Sequence, residues 1–226
     1  MAISRIANIP PLESGDRLTR SEFEHRYQAM SEIRKAELIE GVVYVASPVR
    51  ATQHGRPHAK IIVWLGTYSA ATPGVDVQDS TTVRLDADNE PQPDALLRIE
   101  PEVGGNSRIG DDDYIEGAPE LIAEIAASSA SYDLNDKLNA YRRNGVQEYI
   151  VWQIYENRVD WFSLQSGRYV ALQPDATGVI RSQIFPGLWL SVVALQAGDL
   201  AQVLAVLQQG LKKPEHSAFV KRLQRQ

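Results

Sequence analysis

Residues 120–152 read ELIAEIAASSASYDLNDKLNAYRRNGVQEYIVW, and this stretch decides the fold. Leu121 to Ala126 and Glu148 to Trp152 are short β-rich apolar runs. Between them the hydroxyls of Ser128, Ser129 and Ser131 suit helix capping, and Leu134, Leu138 and Tyr141 share one helical stripe from about Asp133. The helix ends at Asn144-Gly145, with glycine in the capping position. Strand, crossover helix and return strand favour parallel pairing at the centre of a sheet covered by helices, a three-layer α/β core. Two charges interrupt the apolar pattern. Glu124 is the acid within the first strand, and Lys137 lies beside the helix stripe, where its methylenes can pack while its ammonium reaches over the sheet edge.

A second carboxylate matches the first. Asp94 opens the apolar run Pro93-Asp94-Ala95-Leu96-Leu97-Arg98-Ile99, thirty positions before Glu124. Burying a carboxylate is costly unless a cation or hydrogen-bond donor compensates. Two such strands side by side make a metal site, and Lys137 supplies the third element of a metal-assisted phosphodiester hydrolase. The competing reading is an ordinary ion pair, for which Arg98, on the same strand face as Asp94, is the partner at hand.

Around this centre the chain divides into an extended arm at 1–17, a core domain at 18–195 and a helical tail at 196–226. The arm carries Pro10-Pro11 and no periodicity. Thr19 or Ser21 caps a short helix to about Met30, and Glu40-Gly41 turns a hairpin between Glu37-Leu38-Ile39 and Val42-Val43-Tyr44-Val45. His58, Ile61, Ile62 and Leu65 define one face of a helix from Arg56 to Ala70. Thr81 to Leu85 alternates as a half-buried strand, 100–119 is a long loop without periodicity, and antiparallel strands follow at 158–164, 168–173 and 179–192. The tail carries Leu200, Val203, Leu204 and Leu207 on one stripe; this apolar surface predicts a homodimer.

Composition bounds the rest. The chain has 226 residues, 43% hydrophobic and 23% charged, with no cysteine, which excludes disulfides, thiolate metal sites and a cysteine nucleophile. Neither a secretory signal nor an apolar run of membrane-spanning length is present, so a cytoplasmic protein is expected. The net charge of −6 argues against sequence-blind nucleic-acid binding. That charge is segregated: residues 76–133 hold fifteen Asp or Glu against three Lys or Arg, a local −12, leaving +6 elsewhere. Arg50, Arg56, Lys60, Arg142 and Arg143 belong to the basic remainder and can meet phosphates, whereas Asp111, Asp112 and Asp113 read as a solvated loop.

In this order and spacing the segments Glu37-Leu38-Ile39-Glu40-Gly41, the histidine-led helix from His58, Pro93-Asp94, Pro119 to Ile125, Asp133 to Leu138 and Gly145 to Val151 resemble the Uma-two family of restriction-endonuclease-like proteins, in the PD-(D/E)xK nuclease superfamily. The resemblance covers about residues 18 to 192. It implies a restriction-endonuclease-like α/β fold with a mixed sheet, and hydrolysis of DNA with Asp94 and Glu124 holding magnesium or manganese. Lys137 takes the place of the superfamily's lysine, whose usual position two residues after the glutamate is Ala126 here. Glu37 and His58 fall at family motif positions as supporting residues.

Other motifs fail. Asp86-Ala87-Asp88-Asn89-Glu90 starts like a calcium loop, but Pro91 and Leu97 stand where glycine and glutamate belong. His54 and His58 have zinc-helix spacing without the glutamate or a third ligand. Ser128-Ser129 lacks the glycines of a nucleophile elbow, and Trp152, Trp161 and Trp189 fall in strands as core residues. A metal-dependent DNA endonuclease is the leading expectation. The alternatives are an inactive nuclease-fold binding or assembly module, and a hydrolase of small phosphorylated substrates with a closed pocket.

Overall fold

The computed structural model describes residues 9–46, 50–127 and 129–225; residues 1–8 of the expected arm, and Ser128 among the expected capping serines, lie outside them. The remainder of the arm packs down, with Leu12 buried beside Phe23, Leu38 and Val43. Thr19 accepts a hydrogen bond from Glu22 N (3.4 Å) and starts α1 (Arg20–Gln28). The strands β1 (Ala36–Ile39) and β2 (Val42–Val45) form the expected hairpin, whose turn residues Glu40 and Gly41 both have positive φ (52° and 71°). That turn geometry matches the right-handed twist of the flanking strands. A π-helical turn (Ala51–Gly55) leads into α2 (Arg56–Ala70), which buries Ile61, Trp64, Leu65 and Tyr68.

Next come β3 (Val75–Asp79), β4 (Val83–Arg84), β5 (Ala95–Ile99), β6 (Arg108–Ile109), β7 (Ile115–Glu116) and β8 (Leu121–Ala126). The crossover consists of α3 (Ala130–Tyr132), a second π-helical turn (Asp133–Lys137) and α4 (Leu138–Asn144), which ends at Gly145. The remaining elements are β9 (Glu148–Gln153), β10 (Arg158–Gln165), β11 (Arg168–Ala171), β12 (Val179–Arg181), β13 (Trp189–Ser191), α5 (Val192–Ala197), α6 (Leu200–Leu211) and α7 (Pro214–Leu223).

Six strands form the main sheet in the order β11-β10-β9-β8-β5-β3; β8 and β9 pair in parallel, as the crossover demands, and the other neighbours are antiparallel. Residues 95, 97, 121, 123 and 125 pack on one face with Trp64, Trp161, Leu190 and Leu207, against α2 and the C-terminal helices. Leu96, Ile122 and Val151 pack on the other with Tyr141 and Val146. All six residues of β8 are buried, as befits a central strand covered on both sides.

Four expectations change. The 100–119 segment contains β6 and β7, which join β4 in a three-stranded sheet; two-residue strands are too short to leave a periodic signal. Thr81–Leu85 shrinks to β4 and belongs to that sheet. The strand expected at 179–192 is the hairpin β12–β13, closed by a segment that buries Phe185 and Leu188. The tail stripe packs on the molecule's own core: Val203 and Leu207 are fully buried, and Leu200 and Leu204 lie half-buried against the same core, so the stripe is not a free apolar surface. Among the described residues no helix is long and apolar enough to cross a membrane.

Candidate active site

The antiparallel register Ala95↔Ala123 puts Asp94, one residue before β5, opposite Glu124 of β8. Both belong to the set of residues that faces the crossover helix. Ile125 N donates to Asp94 Oδ2 (2.8 Å), tying the two strands together at this point. The site lies toward the carboxyl ends of the parallel pair β8 and β9, the usual place for ligands in α/β sheets.

Lys137 is the hub. Its ammonium is 2.8 Å from Glu124 Oε1, 2.9 Å from Glu37 Oε1 and 3.9 Å from Asp133 Oδ1, and the residue is only 3% exposed. Asp133, Lys137 and Tyr141 follow one another at intervals of four on the crossover, so all three side chains meet the sheet, and Tyr141 OH donates to Glu124 Oε1 (2.9 Å). Glu37 arrives from the hairpin and also accepts from Gln92 N (2.7 Å). Burial pushes the Glu124 carboxyl up to about 8; Lys137 opposes the rise, and Asp94, Asp133 and Glu37 add to it. Burial alone would lower the Lys137 pKa, but the surrounding carboxylates hold it well above its ordinary value, so the ammonium is charged. Three carboxyl groups thus converge on one ammonium, and their crowding is part of what resists ionisation of Glu124.

Asp94 has a different setting. Burial would raise its pKa, yet His54 Nε2 at 3.1 Å, Lys35 Nζ at 3.6 Å and the Ile125 amide hold it well below the usual carboxylate range. His58, the supporting histidine expected from sequence, sits 2.7 Å from the Asp94 carbonyl oxygen and 3.0 Å from Asp79 Oδ1. It fixes backbone, while His54, one turn earlier in the first π-helical turn, reaches the carboxylate. Both π-helical turns thus border the site, one carrying His54 and the other Lys137, in line with the frequency of such turns at functional positions. Arg98 pairs with Asp76 (3.0 Å) and donates to Ser107 O, so the ordinary ion pair weighed for Asp94 is not made.

Asp94, Glu124, Asp133, Lys137, Glu37 and the two histidines line a cleft of about 940 Å³ between the hairpin, the start of α2, the crossover and the turn after β9. Of the five basic residues expected to meet phosphates, Arg50 lines it. Arg143 pairs with Glu40, Arg142 donates to Gly167 O, and the Lys60 ammonium lies beside Gly198 at the end of α5. Asp111 and Asp113 are exposed, and Asp112 pairs with Arg84 (2.6 Å). Sequence reasoning missed Lys35, His54, Asp133 and Tyr141. The four-residue spacing of the last two around Lys137 was the available signal.

Among the described residues no three His, Asp or Glu side chains converge closely enough to enclose an ion. Asp94 and Glu124 are nonetheless a suitable donor pair for a hard divalent cation, which keeps several waters and takes its remaining oxygens from substrate. Glu124 engages Lys137 and Tyr141 through Oε1, leaving Oε2 without a hydrogen bond among the described residues.

A crystal structure of a putative nuclease belonging to DUF820 from Anabaena variabilis shares this fold, with a TM-score of 0.57 and 15% identity over 77% of this chain and 97% of that one. Comparison with curated proteins gives no match. The model of the Uma2 family, described as a putative restriction endonuclease, matches residues 20–193, a span that contains every residue lining the cleft. The protein therefore belongs to the Uma2 family.

Proposed function

We propose that the protein is an endonuclease that hydrolyses DNA phosphodiester bonds at the Asp94, Glu124 and Lys137 cluster, with magnesium or manganese held by Asp94 and Glu124. The observation that carries this reading is the charged Lys137 ammonium, 2.8 Å from a carboxylate that stands opposite a second one on the neighbouring strand, all in one cleft. A bound divalent ion would act as a Lewis acid toward the phosphate and lower the pKa of water. The protein's own groups do the positioning. His54 and the Ile125 amide fix Asp94, Tyr141 and Lys137 orient Glu124, and Lys137 presents a compact positive charge to the oxygens on which negative charge develops.

The second reading, a nuclease fold that binds or assembles without turnover, draws on Glu37. By pairing with Lys137 it gives the lysine a structural use independent of any reaction. Incubation of single- and double-stranded DNA with and without Mn²⁺, using Glu124→Ala as control, separates the two. Metal-dependent cleavage by the parent protein alone supports the nuclease. Intact DNA under all conditions, with the melting temperature still raised by Mn²⁺, supports the binding module.

A further inference from the structure

We infer that the cleft takes unpaired DNA, whose bases stack on a wall of tyrosines; the inference rests on the nuclease reading and names its substrate class. Three tyrosines from three separate elements line the cleft: Tyr44 on β2, Tyr132 in α3 and Tyr155 on the turn after β9. The rings of Tyr44 and Tyr132 lie 4.0 Å apart. Tyr155 is 57% exposed, and among the described residues it alone of the large apolar side chains left in solvent (Val63, Ile109, Tyr155, Val170 and Val193) borders the cleft. The Tyr132 hydroxyl is buried with no hydrogen-bond partner among the described residues, a donor still free for a ligand. The tryptophans are committed elsewhere: Trp64 and Trp161 are fully buried, Trp152 is buried in the same core, and Trp189 is covered by Arg181 and Lys213.

Charge excludes the other form of the substrate. Binding a duplex depends on neutralising many phosphates with Lys and Arg. Among the described residues the lysines and arginines lining the cleft are Lys35, Arg50 and Lys137; Lys35 faces Asp94, Lys137 is enclosed by carboxylates, and Arg50 is left to meet a backbone. A cleft of about 940 Å³ encloses a nucleotide or a short unpaired run, not a double helix. Single-strand sites instead draw on aromatic faces, each stacked base contributing about 5- to 150-fold in affinity, with little sequence preference.

The test is fluorescence anisotropy of a short labelled oligonucleotide, single-stranded or annealed, with Ca²⁺ in place of Mg²⁺ to limit cleavage. The single strand should bind the tighter. Tyr155→Ala should weaken single-strand binding by about 5- to 150-fold, and Tyr155→Phe should stay within about twofold of the parent because the ring is kept. Duplex binding equal to or tighter than single-strand binding, or a Tyr155→Ala protein with parental single-strand affinity, overturns the inference. A parallel Mn²⁺ digestion separates it from the nuclease reading. Cleavage of neither form with this binding pattern intact removes the nuclease and upholds the tyrosine wall; duplex cleavage at parental rate by Tyr155→Ala does the reverse.

Discussion

Replacing Lys137 by methionine keeps the length and packing of the side chain and deletes its charge. The ammonium is 3% exposed and stands within 4 Å of Glu124, Glu37 and Asp133, none of them more than 7% exposed. Removing one partner of a buried ion pair costs about 3–5 kcal/mol, because the charge left behind has neither water nor a counterion. Three carboxylates losing their common cation belong at the upper end of that range. For a chain of this size each kcal/mol shifts the melting temperature by about 2–4 °C, so Lys137→Met in EDTA should melt about 10–20 °C below the parent. Adding Glu124→Gln should recover part of the loss, since the two side chains are in direct contact and their effects cannot add. A divalent cation at about 100 times its Kd contributes about 2.7 kcal/mol, so magnesium should restore roughly half of what the single substitution removes. Scanning calorimetry of the parent, both single variants and the double variant, with EDTA and with Mg²⁺, measures all of this. If Lys137→Met melts within about 2 °C of the parent in EDTA, the lysine is not the electrostatic hub and the account of the cluster is wrong.

Burial pushes Glu148 up to about 7, although Ser182, the Gln183 amide and Trp161 donate to it and oppose the rise. A carboxyl raised above its unfolded value of about 4.3 supplies stability that is complete below that pH and lost as pH climbs through about 7. The parent should therefore lose up to about 3 kcal/mol between pH 5 and 8 that Glu148→Gln does not lose, and melting curves across that range would expose a Gln variant with the parent's slope as the failure of this account. A side chain at Gly210 would overlap the Gly187 carbonyl where α6 passes the loop before β13, so Gly210→Ala should destabilise by about 3 kcal/mol or more; a melt within 1 °C of the parent would deny that close approach. His54→Ala removes the ring that holds Asp94 Oδ2 and should weaken divalent-cation binding by about 10- to 100-fold with little loss of secondary structure. Calorimetric titration with Mn²⁺ giving an unchanged affinity would show that His54 does not support Asp94.

The hairpin, α2 and the crossover were legible because each has an unbroken apolar period and explicit turn or capping residues at its ends, as with Glu40-Gly41 and Gly145. The three-stranded sheet was not: β4, β6 and β7 are held by a few backbone hydrogen bonds, and two residues carry no period. Asp94, Glu124 and Lys137 stood out as charges in apolar surroundings, a feature that survives in one dimension. Of their partners, Glu37 was legible through the family resemblance alone and His54 only as half of an incomplete zinc pair, because one comes from the hairpin and the other from a helical turn, and only the folded chain brings them to the sheet. The same limit applied to the basic residues. Sequence counts Arg143 and Arg50 alike, yet the first is spent on Glu40 and the second borders the cleft.

The hairpin that brings Lys35, Glu37 and Tyr44 to the cleft forms a two-stranded sheet of its own, joined to the segment before β5 by the bridge between Leu38 and Glu90 and by hydrogen bonds from Gly41 N to Asp88 O, from Glu40 N to Asn89 Oδ1 and from Gln92 N to Glu37. Behind it Leu12, Phe23, Ala36, Leu38 and Val43 make a separate small core with the N-terminal helix. One wall of the site is therefore an independently packed subunit of structure, and the opposite wall is the central sheet. The cleft is thus built across the join of two cores, so a substitution that loosens the small core should be felt at Glu37 before it is felt at Asp94 or Glu124.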